Sequence, residues 1–249
     1  MARVVKRAKP FLYYIVEEIE KRDMPMELVL LPIVESAFDP FAYSHGRAAG
    51  MWQFIPGTGK RFGMPQNWWY DGRRDVVAST KGALDYLTYL NDMFDGDWLH
   101  ALAAYNSGEG RVQRAIKANI RAGKPTDFWN LNLPKETRAY VPKLLALADI
   151  LKNKDEYAYS WPEVENVAVI EVVDIGSQVD LAFAADLAGM SLKELHALNP
   201  GFNRWATSPD GPHRLVLPLG KAAAFSQALA KIDQKERLNW VRHTVKSGD

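Results

Sequence analysis

The residue that stands out chemically in this chain is Glu35, a carboxylic acid set in the apolar text LVLLPIVESAF. Six of the eight residues before it are aliphatic, so folding places it at the edge of a core, where loss of water favours the protonated form. A carboxyl held neutral near pH 7 can act as a general acid. A plainer reading stays open beside this one: a glutamate at a helix end that points into water or pairs with Arg47 or Arg73.

Two further stretches combine small residues with groups able to face a groove. Ala48-Ala49-Gly50-Met51-Trp52-Gln53-Phe54 carries an amide and aromatics among residues that let backbones approach closely, and Ala103-Ala104-Tyr105-Asn106-Ser107-Gly108 does the same. Each also reads as a tight helix junction. Tyr140, in ETRAYVP, is either a core tyrosine with a satisfied hydroxyl or part of a site. Trp68, Trp69 and Tyr70 form an aromatic run suited to sugar faces or to anchoring a loop.

Other chemistries find no support. The histidines, His45, His100, His196, His213 and His243, are dispersed, with none paired at helical ligand spacing, so no metal set is visible. The chain has no cysteine, which removes thiol catalysis, disulfides and cysteine-based zinc sites. Gly57-Thr58-Gly59-Lys60 lacks the serine or threonine and the first glycine of a phosphate loop, with Arg61 and Phe54 in their places. A formal charge of +1, from 31 basic and 30 acidic side chains, gives no field to recruit nucleic acid. No stretch is long and apolar enough to span a bilayer.

The elements that must position these residues are mainly helical from Pro10 to about Asn153. Phe11, Ile15 and Ile19 share one face of a first helix behind Pro10, and a second starts at Pro25 and runs through Glu35 with a bend expected at Pro32. The spacing predicts a long, largely buried helix over Asp75–Asp95, and others over Trp98–Asn106 with Gly108 closing it, Arg111–Arg121 with Val112, Ile116 and Ile120 on one face, and Lys135–Asn153. Beyond Asn153 a polar linker, NKDEYAYSWPEVEN, leads to a small α+β unit. That unit is a strand over Val167–Val173, helices over Asp180–Ala188 and Leu192–Leu198, and a returning strand over Arg214–Leu217, with Ser191 and Glu194 as a capping box. An amphipathic helix from about Lys221 to Arg237 follows, and the closing Val245-Lys246-Ser247-Gly248 repeats the pattern of Val173-Asp174-Ile175-Gly176. The division expected is 1–153 helical domain, 154–166 linker, 167–220 α+β module, 221–240 helical linker and 241–249 the start of a further repeat. The first domain is expected to fold without the second.

In combination and in order, Glu35-Ser36, Gly50-Met51-Trp52-Gln53, Ala104-Tyr105-Asn106-Ser107-Gly108 and Tyr140 resemble the lysozyme-like lytic transglycosylases that cut bacterial peptidoglycan. The resemblance covers about residues 10–153, and GMWQFIP, YDGRRDVVAST, MFDGDW and AAYNSGEGRV are most similar to the membrane-bound lytic murein transglycosylase D branch. It implies a mainly α, lysozyme-like catalytic domain acting on glycan strands without metal or organic cofactor. Glu35 would act first as acid and then as base; Ser36, Gln53 and Asn106 would position sugar hydroxyls or N-acetyl groups; Tyr140 would orient Glu35; Met51 and Tyr105 would line the groove. Asp39, the nearest second acid in sequence, need not face the groove if the helix ends near Ser36. The α+β module resembles LysM through LHALNP and Val216-Leu217-Pro218, but has Gly176-Ser177-Gln178-Val179 where LysM usually has Gly-Asp-Thr-Leu, and an insertion over Gly201–His213. Further implications are a periplasmic, outer-membrane-associated location in a longer form, with membrane contact only through a lipid anchor whose cysteine this chain lacks. A goose-type lysozyme and a silent peptidoglycan-binding protein are the alternatives.

Overall fold

The computed structural model describes residues 2–157 and 162–238. Contacts divide the chain into two compact units, one of Met1–Met64 with Gly72–Asn166, the other of Pro65–Asp71 with the chain from Val167 onward.

The first unit is helical: α1 (Ala2–Ala8), α2 (Leu12–Glu20), a 3₁₀ turn (Met26–Leu30), α3 (Leu31–Ser36), α4 (Pro56–Arg61), α5 (Val76–Met93), α6 (Trp98–Ser107), α7 (Glu109–Arg121) and α8 (Lys135–Lys152). Side-chain caps start the two central helices. Asp75 accepts the Ala78 N–H at 2.8 Å to open α5, and Asp97 accepts those of Leu99 and His100 at 2.9 and 3.0 Å to open α6. Gly108, at φ +86°, then breaks α6 from α7. Val76, Ala83, Leu84, Leu87 and Leu90 of α5 are buried together with Ser79 and Thr80, so this helix is core on most sides. Against it packs α6, which also packs against α7 and α8.

Three details depart from the sequence reading. Pro32 does not bend a long helix; it sits in the first turn of α3, where its missing N–H has no partner to lose, and a 3₁₀ turn precedes it. Helix α1 lies ahead of the first one expected. Ile120 does not share a buried face with Val112 in α7: it is 63% exposed while Val112 is fully buried.

The second unit pairs β1 (Ile170–Asp174) antiparallel with β2 (Arg214–Pro218), Val172 opposite Val216. Between the strands lie α9 (Leu181–Leu187) and α10 (Leu192–Leu198), the latter opened by the Ser191–Glu194 capping box. After β2 comes α11 (Leu219–Leu229), whose Ala222, Phe225 and Leu229 enter the same core as Val173, Leu181, Leu195, Leu215 and Leu217. The stretch expected as a helical linker is therefore part of the module, because its apolar face has a core to cover. Tyr70 is buried in this core too, so residues 65–71 belong to the second unit rather than to the helical domain that surrounds them in sequence. Pro162, Val164 and Asn166, inside the expected linker, line an apolar cavity of the first unit with Val5, Leu12 and Ile33. The repeat expected at 241–249 lies outside the described residues. No helix among the described residues is long and apolar enough to cross a membrane.

Candidate active site

Glu35 is the last residue but one of α3, and the helix stops at once: Ala37 and Phe38 follow with φ of +54° and +56°. Two non-glycine residues in the left-handed region cost free energy that the surroundings must supply. Ser36 contributes to that. Its hydroxyl donates to the Met51 carbonyl at 3.0 Å and accepts the Asp39 N–H at 3.1 Å, tying the end of α3 to the 49–54 turn. In that turn Gly50 has φ +81°, and a Cβ there would lie 1.8 Å from the Arg73 carbonyl oxygen. Only glycine satisfies both conditions. Gln53, at φ +52°, donates through Nε2 to the Gly50 carbonyl at 2.8 Å. Met51 and Trp52 are buried beneath the turn, with Trp52 Nε1 donating to Thr80 of α5 at 3.1 Å. From α6, the Tyr105 hydroxyl donates to the Trp52 carbonyl at 2.8 Å.

These elements enclose a cavity of about 730 Å³ lined by Glu35, Gln53, Tyr105, Asn106 and Tyr140. Five of the residues singled out in the sequence thus meet. Ser36 and Met51 do not line it: the first is a tie between backbones and the second is core. Asp39 is also elsewhere, ion-paired with Arg7 at 2.7 Å.

The carboxyl of Glu35 accepts a hydrogen bond from the Tyr140 hydroxyl of α8. This is not the solvated helix end paired with Arg47 or Arg73; the Arg73 guanidinium instead donates to the carbonyls of Arg47 and Phe54 at 2.7 and 3.1 Å. Burial pushes the Glu35 pKa up and the negative charge of Glu136 adds to it, while the Tyr140 hydrogen bond opposes both, leaving it at about 7. Tyr105 and Tyr140 are held well above the usual tyrosine value, chiefly by burial and then by the charge of Glu35, so both remain neutral donors. The aromatic wall is completed by Phe54, edge-on to Tyr105 at 5.9 Å, and Tyr86, 5.5 Å from Tyr105. Glu109 is held at this wall by the Tyr86 hydroxyl at 3.1 Å and by Arg61 at 3.3 Å.

Residues 13–128 match the Transglycosylase SLT domain family, and residues 169–234 match the LysM-like domain of lytic transglycosylase MltD. The membrane-bound lytic murein transglycosylase D of Escherichia coli (strain K12) is 48% identical over 256 residues, covering 99% of this chain and 57% of that protein. The chain carries a transglycosylase SLT domain followed by a LysM-like domain of the lytic transglycosylase MltD type. It spans just over half the length of that E. coli relative. A protein of Alteromonas sp. (strain M-1) named for tributyltin chloride resistance is 42% identical over 175 residues, 70% of this chain and 83% of that one. Among solved structures, an inactive mutant of the lytic transglycosylase Slt of Pseudomonas aeruginosa aligns with TM-score 0.45 and 27% identity, covering 59% of this chain and 24% of that one.

In this transglycosylase domain the cavity also holds Tyr86, Glu109, Glu136 and Lys143, none of which the sequence reading singled out. A signal for two of them was present. Glu136, Tyr140 and Lys143 are spaced four and three apart on α8, so a helix that turns Tyr140 to the cavity turns the other two with it.

Proposed function

We propose that the first unit cleaves the β-1,4 bond between N-acetylmuramic acid and N-acetylglucosamine in peptidoglycan and leaves 1,6-anhydromuramoyl ends. The observation that carries this reading is Glu35: a carboxyl with a pKa of about 7, hydrogen-bonded to Tyr140, on the wall of a cavity large enough for sugar rings. Such a group can give up a proton and take one back at the same pH. In the first half of the reaction Glu35 donates its proton to the bridging oxygen as the bond from that oxygen to C1 of the muramoyl residue breaks. In the second half the resulting carboxylate takes the proton of the C6 hydroxyl of the same sugar, and that oxygen bonds to C1. Glu35 ends as it began, and no water is consumed. Attack from within the same ring has a high effective concentration, so an activated external nucleophile is unnecessary.

Tyr140 orients the Glu35 carboxyl and steadies its ionised form between the two halves. Gln53 and Asn106 hold hydroxyls or N-acetyl groups of the sugars, and Tyr105 supports the turn that carries Gln53 through its bond to Trp52. The second unit is a LysM-like module that brings the enzyme to its polymer. A periplasmic location follows from that substrate, with outer-membrane association in a longer form of the protein.

Glu35→Gln tests the role directly, since it keeps the size of the side chain and removes the proton. Turnover of purified sacculi should fall by at least about 10²- to 10⁴-fold, while sacculus binding and the melting curve of the same preparation stay near those of the parent. A well-folded Glu35→Gln protein with near-normal turnover would end the mechanism.

A further inference from the structure

The second unit carries an aromatic cluster that neither its core nor the proposed reaction uses. Trp68 and Trp69 meet at 4.6 Å with their rings perpendicular, and Trp205, from the stretch between α10 and β2, meets Trp69 at 5.9 Å. Anchoring the 65–71 segment accounts for part of this arrangement, because Tyr70 is buried against Phe202 and Trp69 packs partly on the core. Anchoring does not account for Trp68 or Trp205, which remain 56% and 43% exposed. Indoles left in water at one place are costly surface unless something covers them.

Their backbones are fixed. Asn67 Oδ1 accepts the N–H groups of Trp69 and Tyr70 at 2.9 and 2.8 Å, and the Trp69 carbonyl accepts the Asn203 N–H at 2.8 Å. Trp205 is held through its carbonyl, which accepts the Leu181 N–H at 2.8 Å, while Thr207, two residues on, bonds the Val179 backbone in both directions. These bonds stitch the stretch after α10 to the turn after β1. Arg204 packs on the cluster: its guanidinium lies 4.1 Å over one face of the Trp68 ring while its Nε donates to the Trp68 carbonyl at 3.2 Å.

We infer that Trp68, Trp69 and Trp205, with Arg204 stacked on one face of Trp68, form a carbohydrate platform whose remaining exposed indole faces take the pyranose faces of a β-1,4-linked aminosugar chain. A pyranose ring has an apolar C–H face bounded by hydroxyl and acetamido groups, which matches exposed indole faces beside a guanidinium donor. A folded protein partner fits less well, since three side chains fall far short of the area that a stable interface buries. The identity of the sugar rests on the peptidoglycan reading above; the platform rests on the cluster.

The test titrates the full chain with a hexamer of β-1,4-linked N-acetylglucosamine by calorimetry. Because that probe lacks muramic acid, binding is read without the proposed cleavage. Trp68→Ala and Trp205→Ala should each weaken one binding event by about tenfold or more, whereas Trp68→Tyr, which keeps a flat ring, should retain it. Should an alanine variant melt early, the tyrosine variant decides: retained binding supports the platform and lost binding overturns it. An unchanged isotherm in well-folded alanine variants also overturns it. A chain that binds through these tryptophans but releases no anhydro ends from sacculi counts against the proposed reaction alone; one that releases them with the same isotherm in every variant counts against the platform alone.

Discussion

At Glu35 two neighbours on the same helix act in opposite directions. The Tyr140 hydroxyl donates to the carboxyl and favours its ionised form, while the charge of Glu136, one turn earlier on α8, favours the protonated form. Since the first half of the proposed reaction needs the proton, turnover should fall as pH rises through the Glu35 pKa of about 7. Tyr140→Phe removes the bond that lowers this pKa, so the alkaline fall should move to higher pH even as overall turnover drops by about tenfold. Glu136→Gln removes a charge that raises it, so the same fall should move to lower pH. Rate profiles of the two variants on sacculi, measured beside the parent, check both signs. Shifts in the same direction, or none, would contradict this account of how Glu35 is tuned. That Glu35 is special was legible from its apolar sequence setting. Glu136 and Lys143 were passed over despite their spacing from Tyr140, because charges on an amphipathic helix read first as its solvated side.

Among the elements, the 49–54 turn decides whether the site exists. It presents Gln53 to the cavity, rests on Trp52 and Thr80, and is fastened to α3 by Ser36. Gly50→Ala puts a methyl group where the Arg73 carbonyl oxygen already lies, at a φ that alanine disfavours. We expect a loss of more than about 2 kcal/mol in stability, read by denaturant unfolding, together with lost turnover from the displacement of Gln53. A variant as stable as the parent would mean that the turn is looser than this packing. Much at this scale was readable in advance. The Ser191–Glu194 pair announced its helix because a capping box is a local interaction between near neighbours in sequence. Ser36 was read as a sugar contact and is a backbone tie; its partner is 15 residues away, and nothing local distinguishes a hydroxyl that meets ligand from one that meets a carbonyl. Pro32 likewise read as a bend because the 3₁₀ turn before it carries the same apolar text as a helix.

On the scale of the whole molecule, the composition change near Asn153 pointed to two units, but the sequence assigned residues 65–71 to the first. Their partners, Phe202 and Asn203, are more than 130 residues further on, and long-range packing of this kind leaves no periodic trace. One consequence can be measured. A chain ending after Asn166 leaves Tyr70 and Trp69 without the core that buries them, so it should melt several degrees below the corresponding transition of the full chain; equal melting would show that the segment does not need that cover. The reaction is defined by the bond made at C1 of the muramoyl residue, and the products carry the answer. Mass spectrometry of the muropeptides released from purified sacculi by the full chain should find 1,6-anhydro ends, each one water lighter than its hydrolysed counterpart. Release of reducing ends alone would contradict the account and make the enzyme a hydrolase.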